Sequence, residues 1–513
     1  MEWRYSNLFT WFSFLFLATV FLLLKHRKSK SGAKLRPPGP KPWLIFGNIF
    51  NLGTTPHQNL YKYRFKYGPI LWLRLGSINT LVIQSAKAAE ELFKNHDFSF
   101  CDRKVPECYT AHNYNQSSVS LGQYGSRWRF HRRLVTVELM TNKRINDTTS
   151  IRQKCVNNML QFIEEDISSA QARGESMEVE VARYVFIMSF NLIGNLVLSW
   201  DLLNSQSKEG PEFFDALNKV ARMGAKPNVA DLFPFFKGSD PQRIKSNMEK
   251  ELGQTLKIVE GFVRKRIEER KLVKERENKD FLDVLLEYEG VGKEEPDKIS
   301  IQNIFIMILE MFFGGTETTS STVEWAMAEL FRSPESMRRV KEELNRVVGP
   351  KRKVEESDIH GLPYLQAVIK ETMRLHPIFP LLIPRNTLYD TNFMGYLIPK
   401  DTQVFVNVWA IARDPDVWED PLSFKPERFI DSNIDYRGQN FELLPFGAGR
   451  RICPGIPMAH RVLHHVVASL LHCFDWEVGS GSTPRTIDMK EGMGITVRKL
   501  IPLRATPKKI NRE

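Results

Sequence analysis

Hydrophobic and polar positions divide the chain into a short apolar leader and a long mixed body. Residues 8–24 are apolar and carry no charge, and about 17 such residues suffice for a membrane-spanning helix. Beyond the leader the period changes. Residues 70–83 alternate apolar and polar around Gly76-Ser77, which predicts a β-hairpin. Residues 151–165 and 248–274 place apolar side chains at helical spacing among many charges. Two longer apolar runs, 301–331 and 456–474, read as buried helices. Short strands are expected at 382–387, 403–408 and 495–503, and charge-rich connectors at 271–280 and 290–298. No repeat appears, and no linker splits the body after Trp43. The expected class is mainly α with small β sheets: one large domain behind an N-terminal transmembrane helix.

Charge sets the orientation of that leader. Of the formal net charge of +12, six positive charges (Lys25, Arg27, Lys28, Lys30, Lys34 and Arg36) follow the apolar run directly. A cleaved signal peptide wants its charge in front and a small-residue cleavage site behind. Lys and Arg excess stays cytoplasmic, so the body is expected in the cytosol and the first residues in the lumen. Pro37-Pro38-Gly39-Pro40 then forms a short stiff spacer. The expected division is an anchor and basic flank at 1–36, a hinge at 37–42, and one domain at 43–513. Asn115 and Asn146 head glycosylation acceptor sequences, expected to go unused in a cytosolic body. The basic excess lies beside the leader, so it argues for a membrane and against a nucleic-acid surface. The rest suits an acidic protein partner or a plain solvated surface.

The five cysteines, Cys101, Cys108, Cys155, Cys453 and Cys473, are too sparse for a disulfide framework, which points to a reducing compartment. Cys453 stands apart by its context. Gly447 and Gly449 permit a tight turn ahead of it. Pro454 suits the first position of the helix that follows, where its missing N–H would go unpaired anyway. Cys453 is thereby expected at a helix N-terminus, where the dipole favours a thiolate.

Three further patterns accompany it. Glu371 and Arg374, three apart, share a helix face ahead of Leu375-His376-Pro377. Gly314-Gly315-Thr316-Glu317-Thr318-Thr319 interrupts the 301–331 run with two glycines, each costing about 1 kcal/mol against alanine inside a helix. Missing side chains there admit a ligand to the backbone, beside an acid and a hydroxyl suited to proton transfer. The plainer reading is a packing notch whose hydroxyls bond back to the preceding turn. Trp128 and Arg132, four apart, share a face of what reads by itself as a basic amphipathic helix.

Together these motifs resemble the cytochrome P450 superfamily. The FxxGxRxCxG signature is complete as Phe446, Gly449, Arg451, Cys453 and Gly455. The resemblance runs from the proline hinge to Leu503, with motifs in the family's order. It implies heme b with Cys453 as axial thiolate on the iron, and Trp128, Arg132, Arg385 and Arg451 on its propionates, with Phe446 in the same cofactor loop. It implies a structural triad of Glu371, Arg374 and Arg428, and Thr318 with Glu317 as the oxygen-activating pair. Residues 111–116 and 142–146 also resemble plant microsomal terpenoid oxidases, close to geraniol hydroxylases and iridoid oxidases.

The implied activity is a monooxygenase of the endoplasmic reticulum membrane, single-pass, with its catalytic domain cytosolic. It would take electrons from NADPH through cytochrome P450 reductase and insert one atom of O2 into a small lipophilic substrate, a monoterpenol or iridoid. The expected pocket walls are apolar: Ile308, Met311 and Phe312, residues 379–383, then Met493 and Ile495, with Leu232-Phe233-Pro234 as roof. Two alternatives differ in chemistry: a haem-thiolate isomerase or synthase working without reductase, and a fatty-acid hydroxylase. A haem-binding scaffold without turnover and a lumenal glycosyltransferase fit less well, given the intact Glu317-Thr318 segment and the cytosolic body.

Overall fold

The computed structural model describes residues 36–174, 177–203, 209–272, 279–290, 295–479 and 483–510. The apolar leader lies outside them, as do parts of both charge-rich connectors.

The alternating segment folds as expected. Ile70–Leu75 pairs antiparallel with Ile78–Ile83, and Gly76 turns the corner at φ +61°. Gln403–Val406 adds parallel to the second strand, followed by Arg385–Asn386 and Asp102–Arg103, which completes a five-stranded sheet. A three-stranded sheet joins Val179–Glu180, Arg504–Lys509 and Phe474–Val478. Two small hairpins complete the β part.

Helices form the rest. Thr149–Ala172 and Ile244–Leu272 match their sequence periods and bury one face each. Val181–Leu198 is apolar nearly all round, and among the described residues it is the helix long and apolar enough to cross a membrane. It is instead a core helix. Phe190 packs on Phe312 with ring centroids 4.9 Å apart, and Phe213 closes the same cluster. Burying one such ring contributes about 1.5–3 kcal/mol.

Four expectations change. The 495–503 strand shrinks to Val497–Lys499. The 382–387 strand shrinks to Arg385–Asn386, because Leu382 sits at φ +52°, outside the β region. The 403–408 strand stops at Val406, because the Asn407 side chain caps a short helix, Val408–Ile411. The 301–331 run is two helices, Ile301–Gly315 and Glu317–Arg332, separated at Thr316 (φ −100°, ψ −71°). The paired glycines weaken the helix where it breaks.

Candidate active site

The cysteine loop builds itself from main-chain bonds. Cys453 N–H donates to the Phe446 carbonyl at 3.0 Å, and Ile452 N–H to that of Gly449 at 3.1 Å. Gly447 and Gly449 take φ +69° and +67°. Substitution at Gly449 would also drive a Cβ to 2.4 Å from the Asp97 carboxylate. The following helix is Ile456–Cys473, so Pro454 does not open it. Pro457 takes the early helical place, and Pro454 stays in the turn. Cys453 therefore sits three residues ahead of the helix, with the Gly455 N–H directed at its sulfur. Burial pushes the thiol above its ordinary pKa, while that N–H and the Arg132 charge work against the rise. Arg132 Nη2 also donates to the Ile452 carbonyl at 2.5 Å. Phe446 is half-buried, its ring 5.5 Å from Tyr436.

Buried positive charge surrounds this loop. Arg103, Arg385 and Arg451 are each under a tenth exposed. Arg385 reaches Asp97, the Phe100 carbonyl and the Ala448 carbonyl. Arg451 reaches the carbonyls of Cys101 and Gly122, and its Nη1 is buried with no partner among the described residues. Burial and the neighbouring guanidinium groups pull Arg103 well below its ordinary pKa and Arg451 down to about 10. Asp97 and Asp102 are too few to balance the set. An anionic group with two carboxylates beside Cys453 fits both the charge deficit and the orphaned Nη1. Trp128 lies in Ser126–Leu139 with its ring 3.9 Å from the Arg451 guanidinium. Its indole N–H is taken by the Val119 carbonyl, so Trp128 meets this cluster through its face. Arg129 and Arg133 point outward, and Arg133 pairs with Glu295.

The triad braces the chain segment that precedes the loop. Glu371 and Arg374 are fully buried, with Nε to Oε2 at 2.6 Å and Nη2 to Oε1 at 2.8 Å. Arg428 Nε joins Oε1 at 3.1 Å. The remaining Arg374 donors reach the carbonyls of Ala412, Pro421 and Ser423. This buried ion set ties the Pro363–Leu375 helix to residues 412–428 and is fully satisfied.

The split helix is less closed. Gly314 is exposed in the middle of the core pair, and a Cβ there would meet no atom within 4 Å. Gly315 differs: its Cβ would lie 2.5 Å from Ile193. Glu317 and Thr318 keep part of their surface open, and no described residue pairs with the Glu317 carboxylate. Thr318 Oγ donates to the Gly314 carbonyl at 2.7 Å, and Thr316 and Thr319 bond back in the same way. The hydroxyls thus make the bonds of a packing notch, but the gap at Gly314 stays open.

Ile308 and Phe312 do not line that gap. Both are fully buried on the opposite side of the helix, Phe312 among Phe190 and Phe213. A 100° step per residue puts Glu310, not Phe312, on the Gly314 face. Leu381, Leu382 and Ile383 stay half-buried, with Leu382 beside Gly447. Met493 is exposed and Ile495 half-buried. The Leu232 carbonyl accepts from Ser77 N–H at 2.9 Å, which pins the expected roof to the hairpin turn. Sequence reasoning missed Arg103, Asp97 and Glu310. The available signal for Glu310 was a lone acid inside an apolar helix.

A thiol-bearing loop under a cluster of buried arginines, beside a broken glycine-rich helix, defines the haem-thiolate class of monooxygenase. Residues 37–503 match the Cytochrome P450 family, and the chain belongs to it. Iridoid oxidase of Catharanthus roseus is 54% identical over 96% of this chain and 95% of that protein. Geraniol 8-hydroxylase of the same plant is 42% identical over 92% and 93%. A zebra fish cytochrome P450 solved with progesterone superposes with a TM-score of 0.74 at 27% identity, covering 88% of this chain and 99% of that one.

Proposed function

We propose that this chain is an endoplasmic reticulum P450 that oxidises a small terpenoid, a monoterpenol or an iridoid. The observation that carries the reading is the near full-length likeness to the iridoid oxidase. Residues 1–36 anchor the chain, 37–42 form the hinge, and 43–513 form the catalytic domain. Cys453 would supply the thiolate that holds the haem iron. Arg132, Arg385 and Arg451 would balance its propionates, Trp128 holds the Arg451 plane, and the Phe446 carbonyl accepts the Cys453 N–H and so sets the loop. The bound haem supplies O2 activation.

The chain's own part is placement and proton supply. The open Gly314 leaves room for O2. Thr318 Oγ, bonded to the Gly314 carbonyl beside that gap, would relay protons there, and the Glu317 carboxylate, which no described residue pairs, would replenish them. Two electrons from NADPH arrive through a membrane-bound cytochrome P450 reductase. One oxygen atom enters a substrate C–H bond as hydroxyl, and the other leaves as water with two protons.

The test is reconstitution of the full chain with reductase in lipid vesicles, followed by product analysis with monoterpenols, iridoids and fatty acids. NADPH-dependent products from the first two groups support the reading. Products confined to fatty acids overturn the substrate assignment. Products formed without NADPH point to the isomerase or synthase alternative.

A further inference from the structure

Glu310 is a buried acid that the proposed reaction leaves unused. It is 7% exposed, and no cation among the described residues lies within ion-pair reach. Its charge is met instead by one loop. Oε2 accepts from Val119 N–H at 2.7 Å and Ser120 N–H at 3.1 Å. Oε1 accepts from the hydroxyls of Ser118, Ser120 and Tyr114, the last two at 2.7 Å and 3.1 Å. Five donors from the chain occupy the carboxylate, so it has no free lone pair to offer a substrate.

The loop it holds connects the two halves of the site. Glu310 lies one turn before Gly314, on the same helix face. On its other side the loop is held by Trp128, which donates to the Val119 carbonyl, and by Arg451, which donates to that of Gly122. Arg103 bridges the Ser120 carbonyl to those of Ile383 and Pro384, on the opposite wall. Ser120 and Leu121 keep part of their surface open.

We infer that Glu310 is a specificity-determining positioning residue: its carboxylate fixes the 117–122 loop, and so the pocket wall that loop forms, relative to the Gly314 gap. The inference rests on the proposed pocket, but its first test does not. Two variants separate position from charge. Glu310→Leu removes both acceptors and leaves two main-chain N–H groups stranded. Glu310→Gln keeps one oxygen for those N–H groups, and its amide can donate to hydroxyls that rotate to accept. A group needed for its charge would fail in both.

Amide hydrogen exchange of the haem-loaded protein reads the loop directly. Glu310→Leu should speed exchange at Val119 and Ser120 at least tenfold, with no change at 371–375, while Glu310→Gln stays within about threefold of wild type. Unchanged exchange in Glu310→Leu overturns the inference, as does equal acceleration in both variants or acceleration throughout the domain. If Glu310→Leu does not fold, the Ser118→Ala, Ser120→Ala double variant removes two of the five donors and should still speed those amides at least threefold; no change there also overturns it. Product ratio from geraniol is the second readout. It should shift in Glu310→Leu and hold in Glu310→Gln, and an unshifted ratio in Glu310→Leu overturns the specificity role. Where wild type does not turn over geraniol, the product ratio is read on whichever monoterpenol or iridoid it oxidises; turnover of none counts against the proposed function, and the exchange result alone then decides the positioning role.

Discussion

The two sides of the candidate site are built on opposite terms. Around Cys453, short-range main-chain bonds fix the loop, a satisfied buried triad braces residues 412–428 ahead of it, and excess positive charge is the main thing left unbalanced. Around Gly314, the helix is broken, a side chain is missing, and the Glu317 carboxylate has no partner among the described residues. One side is organised to hold a group permanently, the other to admit and release one. Rigidity belongs where a ligand must stay put, and an interrupted helix where small molecules and protons must move.

The largest effect should come from removing the frame of the rigid side. Glu371→Ala leaves Arg374 buried without its counter-charge, a loss of about 3–5 kcal/mol for a broken buried pair. Haem incorporation should collapse along with the melting temperature. A wild-type ferrous–CO spectrum and melting point in that variant would remove the triad from the argument.

Cys453→Ser should act more narrowly. The fold should survive while the ferrous–CO band of thiolate ligation disappears. Substitution of Cys101, Cys108, Cys155 or Cys473 should leave that band in place. Burial pushes the thiols of Cys101, Cys108 and Cys155 up to about 11, 12 and 12, so they stay protonated. Burial raises Cys453 as well, so the distinction lies in its placement: only this sulfur combines the Gly455 N–H, Arg132 and a helix start. Loss of the band from any of the other four variants would reassign the ligand.

That contrast also explains what could be read from sequence. The Cys453 loop is contiguous, and Glu371 with Arg374 is one helical turn, so both were legible as spacing. The fold class and the hairpin at Gly76 followed from period alone. Pro454 was misplaced because Pro457 satisfies the same early-helix preference three residues later. Ile308 and Phe312 were read as pocket because they are apolar, yet hydrophobicity does not say which side of a helix faces a void and which faces Phe190. Arg103 and Asp97 have partners 280 or more residues away in sequence, Ile383 and Arg385, so local pattern carries no trace of them, and Glu310 showed only as a lone acid in an apolar helix, its partner Ser120 lying 190 residues away.

On the open side, Thr318→Ala tests proton supply. Positioned acid–base groups contribute on the order of a hundredfold or more, and water substitutes in part. Haem and substrate binding should stay near normal, while more NADPH ends as hydrogen peroxide. Thr319→Ala, about 100° further round the helix, should change the product-to-peroxide ratio much less. Both hydroxyls make the same back-bond to a glycine carbonyl. Equal coupling in the two variants would therefore reduce Thr318 to helix packing.

The smallest and most discriminating change is one methyl group at each glycine. Alanine favours a helix over glycine by about 1 kcal/mol at either position. At Gly314 the new methyl meets nothing within 4 Å, so Gly314→Ala should melt at or above the wild-type temperature. At Gly315 it would sit 2.5 Å and 2.8 Å from two Ile193 side-chain carbons. Overpacking of that kind costs about 1–3 kcal/mol, so Gly315→Ala should melt lower. Activity should separate in the other direction. The Gly314 methyl fills the space assigned to O2 and substrate, and turnover should fall although the protein is no less stable. The Gly315 methyl points into the core, and turnover per folded molecule should hold. Thermal unfolding and turnover normalised to ferrous–CO content measure both. A Gly314→Ala protein that is destabilised as much as Gly315→Ala would show that the gap is filled by the chain itself, and the open side of the comparison would be lost.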